Sequence, residues 1–314
     1  MDKIAVLLAT YNGRLFLNEM LESLECQSCK QFVCYIHDDG STDETLDLLS
    51  SWVSKYPDKY RILEGPSQGS PQSNFLWMLS QVEADYYMFA DQDDVWLPEK
   101  IEKSYSKMQE VETRVDGPVC VFTDMYVVDE NLKVSDESFI RYIGRDPGRI
   151  ALSQLLLENP AAGCTQMFNR ALRDAALQLQ DVNAIEMHDI WVLSLAAAFG
   201  QNHIGVLDEP LVYYRQHGEN EMGAVEAESK LQKVMRNIKL ICSGEFAEQK
   251  RAYIRQARDL AGQLSLVDGL PEEGCDFLRE FAEIGSKGKL ARVRFYRKHN
   301  ITKNHGTLWM YLWV

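Results

Sequence analysis

Three carboxylates fall within four residues at Asp91-Gln92-Asp93-Asp94, directly after the apolar, aromatic run Tyr86-Tyr87-Met88-Phe89-Ala90. Such a run reads as a buried strand, so the acids stand at a strand end. Like charges this close repel one another and are costly to desolvate, unless a divalent cation or a polyhydroxyl ligand sits among them. Alternate side chains of an extended segment share one side, so the spacing Asp91-x-Asp93 aims two carboxylates at one ligand. A solvated acidic loop is the other reading of the same residues.

Further groups with chemical potential follow the same habit of standing after apolar runs. Asp38-Asp39-Gly40-Ser41-Thr42-Asp43 follows the run from Phe32 to His37. Asp39 there can accept from a nucleobase N–H or a ribose hydroxyl, while Ser41 or Asp43 can cap the next helix. His188-Asp189 opens the apolar stretch Ile190–Phe199. Asp189 either caps that helix or serves as a general base, and a helix N-terminus lowers a carboxylate pKa, so basicity there requires burial or nearby phosphate charge. His217 lies in the turn Tyr214-Arg215-Gln216-His217-Gly218. A neutral imidazole in that position either completes the coordination of a cation or is a surface loop histidine.

The elements that must carry these groups alternate. Ile4–Ala9 reads as a strand buried on both faces, followed by the polar loop Thr10-Tyr11-Asn12-Gly13. A helix comes next, with Leu17, Met20, Leu21 and Leu24 at helical spacing. Then follow a strand over 32–37, a helix over 44–56, a short strand over 60–63, a helix over 73–82 and the strand ending at Asp91. This βαβαβαβ order predicts a parallel sheet wound with helices, in which ligands bind beyond the carboxyl ends of the strands. The clusters at 10–12, 38–39 and 91–94 all fall on that edge. Downstream the pattern predicts a charged helix over 98–111, strands at 119–122 and 125–128, a turn-rich loop over Glu158–Thr165, a buried helix closed by Gly200, and a strand over 211–215. Beyond 221 it is helical throughout.

Composition restricts the function classes. The 314 residues, 46% apolar and 25% charged, suit an ordinary globular chain, and a net charge of −14 argues against nucleic-acid binding. The charge is uneven: residues 284–314 hold no Asp or Glu but include Lys287, Lys289, Arg292, Arg294, Arg297, Lys298 and Lys303. Interleaved with Phe295, Tyr296, Trp309, Tyr311, Leu312 and Trp313, these cations suit either an anionic membrane interface or a helix packed on the rest with a basic outer face. The N-terminus resembles no secretory signal and no run is long enough to span a bilayer. Seven cysteines at irregular spacing predict reduced thiols of a cytoplasmic protein, Cys26 and Cys29 included.

Taken in order, Thr10-Tyr11-Asn12, Asp39-Gly40-Ser41-Thr42-Asp43, Asp91-Gln92-Asp93-Asp94, His188-Asp189 and Tyr214-Arg215-Gln216-His217-Gly218-x-Asn220 resemble a family 2 glycosyltransferase. The run Asp91–Pro98, the His-Asp-x-Trp at 188–191 and the Tyr-Arg-Gln-His-Gly turn are similar to the rhamnosyltransferase branch. The resemblance implies a GT-A fold: an α/β, Rossmann-like, mostly parallel sheet flanked by helices. It covers residues 1–220 as catalytic domain, leaving 221–314 as a helical extension. It also implies that Thr10, Tyr11, Asn12, Asp39, Asn74, Asp91 and Gln92 meet the nucleotide, with Asp39 at the base. Asp93 and His217 would hold Mg²⁺ or Mn²⁺, with Asp91 near the ribose or the ion's water shell. Gly163, His188, Asp94 and Trp96 would face the sugar or acceptor, and Asp189 would be the catalytic base. His188 stands where many relatives have Glu, which leaves the acceptor-side contacts open.

The activity so implied is an inverting transfer from a nucleotide-diphospho sugar, dTDP-L-rhamnose first and a UDP-hexose or UDP-N-acetylhexosamine second. The acceptor would be a lipid-linked surface glycan on the inner face of the cytoplasmic membrane. Two rivals belong to other classes. A dinucleotide oxidoreductase shares the fold pattern but needs a G-x-G-x-x-G after the first strand, which is absent. A non-catalytic nucleotide-sugar binding module would not need Asp39, Asp91, Asp93, Asp189 and His217 together.

Overall fold

The computed structural model describes residues 3–217 and 245–303, with no side chains described for 245–247. Strands β1 (Ile4–Thr10), β2 (Phe32–Asp38), β3 (Tyr60–Ile62) and β4 (Tyr86–Asp91) alternate with helices α1 (Leu17–Glu25), α2 (Thr45–Lys55) and α3 (Pro71–Gln81). After β4 come β5 (Val95–Trp96), α4 (Lys100–Glu112), β6 (Cys120–Val128), β7 (Val134–Asp136), α5 (Phe139–Tyr142) and α6 (Leu152–Leu155). The chain continues through β8 (Gln166–Asn169), α7 (Arg170–Ala176), α8 (His188–Phe199), β9 (Ile204–Arg215), α9 (Glu245–Leu264), α10 (Glu272–Glu283) and α11 (Lys289–Lys298).

One sheet in the order β3-β2-β1-β4-β8-β6-β9-β5, with β7 beside β6, crosses the molecule. The expectation of a mostly parallel sheet holds for its first half and again for the parallel pair of β6 and β9. β1 pairs in parallel with β2 and β4, and β2 with β3, whereas β8 runs antiparallel to both β4 and β6. The sheet is therefore mixed. The two strands expected around Thr123-Asp124 are one strand, β6, whose register against β9 shifts at those residues.

β1 shows why its continuous apolar run forms a central strand. Ala5 and Leu7 join the core under α3 and α8, while Ile4, Val6 and Leu8 join the opposite core under α1 and α4. Each face is covered, so alternation of pointing direction needs no alternation of polarity. α1 buries Leu17, Met20, Leu21 and Leu24, the stripe its spacing predicts. α8 is apolar on nearly all sides and is buried accordingly, ending at Gly200 with φ +142°.

The C-terminal helices do not close a core of their own. Leu260, Leu264, Leu278, Phe281, Phe295 and Tyr296 belong to the same apolar cluster as Trp191 and Leu195 of α8. Phe295 and Tyr296 are 3% and 1% exposed, so these two aromatic side chains of α11 face inward and not toward an interface. Trp309, Tyr311, Leu312 and Trp313 lie outside the described residues. The expected junction near 220 does as well.

Candidate active site

The register of the sheet brings the polar clusters together. Thr10 lies opposite Asp38, and Ala9 opposite Asp91, so the loops after β1, β2 and β4 leave one edge side by side. Side chains then tie the loops together. Thr10 Oγ1 donates to Asp38 Oδ1 at 2.9 Å, and Thr42 N–H donates to Asn12 Oδ1 at 2.8 Å. The Gln92 amide clamps the backbone of Tyr11, accepting from its N–H at 2.9 Å and donating to its carbonyl at 2.8 Å. Gly13 is required beside that clamp, because a Cβ there would stand 2.0 Å from Gln92 Oε1. The Tyr11 ring remains 58% exposed above it.

The two neighbouring aspartates of the β2 loop divide the work. Asp38 builds the turn, accepting from Thr10, the Gly40 and Ser41 N–H groups and the Ser41 hydroxyl. Asp39 reaches the other way and accepts from Gln68 N–H and, at 2.9 Å, from Gly69 N–H, drawing the β3–α3 loop over the strand ends. Each carboxylate oxygen keeps a further lone pair for a ligand. Asp43 caps α2 through Thr45 N–H at 3.0 Å and also accepts from Arg14 N–H. Burial pushes its carboxyl up, but the donors together outweigh that and hold it below the usual carboxylate range.

The acidic run splits because β4 ends at Asp91 and a turn follows. Strand alternation therefore stops where Asp93 begins to matter. Asp93 faces His217, with Oδ2 2.8 Å from Nε2 across 124 residues of sequence. Asp91 is grouped instead with Asp94 and Cys164, their ligand atoms all within 4.8 Å of one another. Asp94 is 1% exposed, and burial, reinforced by the charges of Asp93 and Asp91, pushes its carboxyl well above the carboxylate range. It is an interior group and not an acid at the ligand surface. An oxygen donor from Asp93 with the His217 imidazole suits a hard divalent ion such as Mg²⁺ or Mn²⁺, while Asp91 lies with Asp94 and Cys164. The Cys164 thiol, pushed well up by burial, does not.

Asp189 sits in the first turn of α8, partly buried. Burial raises its pKa to about 7, aided by the nearby Glu186 charge and opposed by hydrogen bonds from Ile190 N–H, the Asn159 side chain and Gly163 N–H. Gln166 Nε2 donates to the Asp189 carbonyl at 3.1 Å and fixes the turn itself. The 159–163 loop thus meets Asp189 directly. His188 points into the core between the rings of Phe75 and Phe89, 4.2 and 4.6 Å away, and burial lowers its pKa to about 3, so it is neutral. A Cβ on Gly163 would lie 2.5 Å from His188 Nε2.

Four expected ligand contacts are corrected by burial. Asn74 is 2% exposed and its Oδ1 lies 2.7 Å from His37 Nδ1, so it braces β2 instead of touching a nucleotide. Trp96 is 2% exposed in the apolar cluster beneath α1, with Lys100 Nζ 4.2 Å over its ring, and meets no sugar. Asp94 and His188 likewise lie below the surface of the site. Cys26 and Cys29 are free thiols at the end of α1.

Arg215 was not singled out by its chemistry, although it lies in the same turn as His217. Its guanidinium donates to the carbonyls of Asp93 and Glu130 and to the Glu19 carboxylate, over the ring of Phe16. Phe16 in turn stacks 4.8 Å from His217. Only a folded chain could reveal that hub, since these partners come from three separate segments.

A family model described as "Glycosyl transferase family 2" matches residues 5–175, more than half of the chain. A dTDP-rhamnosyl transferase of Shigella flexneri is 26% identical over 227 residues, 69% of this chain and 74% of that one. An uncharacterized glycosyltransferase of Nostoc sp. is 26% identical over 236 residues, 73% of this chain and 69% of the other. Among solved structures, Staphylococcus aureus TarS in complex with UDP-GlcNAc superimposes with a TM-score of 0.51 at 20% identity, covering 95% of this chain and 80% of that one. A Pyrobaculum calidifontis mannosyltransferase in complex with GDP-Man and Mn²⁺ gives 0.52 at 12% identity, over 94% of this chain and 73% of that one. At such identities the structural likeness concerns the fold alone.

Proposed function

The chain belongs to glycosyl transferase family 2, and from that premise we propose that it is a metal-dependent, inverting transferase that moves L-rhamnose from dTDP-L-rhamnose to a hydroxyl of a lipid-linked surface glycan. The observation that carries the reading is the meeting of Asp93 and His217 at 2.8 Å on the edge where Thr10–Asn12 and Asp39 also emerge. The rhamnosyl donor is taken from the Shigella flexneri relative. A UDP-hexose or UDP-N-acetylhexosamine remains the second reading, favoured by the UDP-GlcNAc complex of a protein with the same fold.

In this mechanism Thr10, Tyr11, Asn12 and Asp39 hold the nucleoside, with Gln92 keeping the Tyr11 backbone in place. Asp93 and His217, with Asp91 nearby, would hold a divalent ion, which would neutralise charge on the diphosphate leaving group. Asp189, its carboxylate raised to a basic pKa by burial, takes the proton of the acceptor hydroxyl. The acceptor oxygen forms the new bond to the anomeric carbon as the carbon–diphosphate bond breaks, and the nucleoside diphosphate departs. One base and no protein nucleophile give inversion. Among the described residues no helix is long and apolar enough to cross a membrane. Attachment to an anionic bilayer would use the exposed Lys287, Arg294 and Lys298, beside Leu290, which is 87% exposed.

The test is a donor-hydrolysis panel of dTDP-L-rhamnose, UDP-galactose and UDP-GlcNAc, with and without Mn²⁺. Turnover of dTDP-L-rhamnose that requires metal is the expected result. Preference for a UDP-sugar replaces the donor, and turnover unaffected by chelation removes the metal.

A further inference from the structure

Beside Glu158, which adjoins the Asn159 that bonds Asp189, basic side chains from three separate segments converge. Arg145 and Arg149 come from the loop between α5 and α6, Lys250 from α9, and Lys303 from the end of the described chain. Arg149 donates through one Nη to the Thr302 carbonyl and, at 2.9 Å, to the Thr302 hydroxyl, which seats Lys303 next to it. Lys303 Nζ lies 4.1 Å over the Tyr253 ring and 3.6 Å from Glu158, with 15% and 12% of the two charged side chains exposed. Arg145 and Lys250 are both close enough to Lys303 to repel its charge. The acids facing this group are Glu158 and, at the start of α8, Glu186. Four cations thus crowd a partly buried spot in a chain whose net charge is −14.

Like charges so placed repel one another, and Glu158 and Glu186 offset part of that cost. Burial is the main cause lowering the Lys250 and Lys303 pKa values, and at Lys303 its cationic neighbours add to it. An independent observation points the same way. Arg145 Nη1 and Arg149 Nε are buried donors with no hydrogen-bond partner among the described residues. A guanidinium N–H withdrawn from water and left unused is uncommon in a folded protein, and a tetrahedral oxyanion is the acceptor it fits. The position is specific as well: Glu158 adjoins Asn159, whose side chain bonds Asp189, while Glu186 and Tyr253 line one narrow pocket with Ile190.

We propose that Arg145, Arg149, Lys250 and Lys303 form an anion subsite that holds a phosphate group of the acceptor while Asp189 faces its hydroxyl. The proposal rests on the transferase reading for the identity of the ligand as acceptor, but the subsite itself does not. It narrows the acceptor from any glycan to one that carries phosphate, whether on a lipid carrier or in a polymer backbone.

Calorimetric titration of the full chain with inorganic phosphate, in the absence of metal, tests it. Wild type and Asp93→Ala should bind alike, since Asp93 is remote from the subsite in function. Lys250→Gln/Lys303→Gln should bind at least about tenfold more weakly. Arg149→Gln should lose binding and Arg149→Lys recover part of it, with thermal melting to show that both are folded. No saturable binding by wild type, or equal binding by the double variant, overturns the subsite. An isoprenyl monophosphate and glycerol 1-phosphate as competitors separate the two sources: tighter binding of the first assigns the lipid carrier, and tighter binding of the second the polymer. Donor hydrolysis measured on the same proteins should survive in Lys250→Gln/Lys303→Gln. If wild type hydrolyses no donor, the transferase reading fails while phosphate binding still decides the subsite.

Discussion

At the scale of single residues the decisive feature is a carboxylate made basic by its surroundings. Asp189 occupies a helix first turn, where the dipole alone would lower its pKa, yet burial raises it to about 7. Transfer should therefore rise with pH along an acid limb centred near 7, read from kcat/KM against pH. Asp189→Asn should keep donor binding and lose transfer by about 10²–10⁴-fold; full transfer by that variant removes Asp189 from the base role. Stability carries the opposite sign. The folded chain holds this proton more tightly than the unfolded one, so ionising Asp189 costs stability as pH rises from the ordinary carboxylate value to about 7. Asp189→Asn should consequently gain more in melting temperature at pH 8 than at pH 5. Asp93→Ala should abolish metal-dependent donor turnover, because it removes the carboxylate that faces His217; turnover that still responds to Mn²⁺ would give the ion to other ligands.

At the scale of elements, the site depends on how the turn after β4 is held against the end of β9. The two are joined by Arg215, whose guanidinium, 1% exposed, spans the Asp93 carbonyl, the Glu130 carbonyl and Glu19 of α1. In the proposed mechanism Arg215 would be a positioning residue, acting through Asp93 and His217. Arg215→Met leaves buried carbonyls unpaired and should cost roughly 1–3 kcal/mol in urea unfolding. The reading that separates positioning from bulk stability is the Mn²⁺ concentration for half-activation. It should rise about 10–100-fold while the donor KM at saturating metal changes little, with Arg215→Lys intermediate. A second element-level contact joins the 159–163 loop to α8. Gly163→Ala would press a methyl against His188 Nε2 and should cost about 1–3 kcal/mol, together with a loss of transfer, measured by melting and by turnover.

At the scale of the whole molecule, the helical C-terminal part is built into the catalytic core. Phe281, Phe295 and Tyr296 share one cluster with Trp191 of α8, the helix that carries Asp189. Removing residues 284–314 would therefore open that cluster, and lost membrane binding after such a deletion would say little. Charge reversal on the outer face is the cleaner test: Lys287→Glu/Arg294→Glu/Lys298→Glu touches exposed side chains only. It should reduce co-sedimentation with anionic vesicles severalfold, more at low salt than at high, and leave melting near wild type. Unchanged sedimentation would end the membrane proposal.

The sequence by itself determined the parts that depend on local order and pattern. Two-sided burial of β1 and β4, the apolar stripe of α1, and the placing of Thr10–Asn12, Asp38–Asp39 and Asp91–Asp94 on one edge all follow from runs and periods read along the chain. So does the order of the motifs, which carries the family. Tertiary structure alone decided which side chains reach the surface of the site. Asp94, Trp96, Asn74 and His188 share the motifs of exposed neighbours, and only packing buries them. It also decided the partnership of Asp93 with His217, the hub at Arg215 and the four cations beside Glu158. Each joins residues from distant segments, and the energy of such contacts lies in three-dimensional distance and desolvation, to which spacing along a chain gives no access.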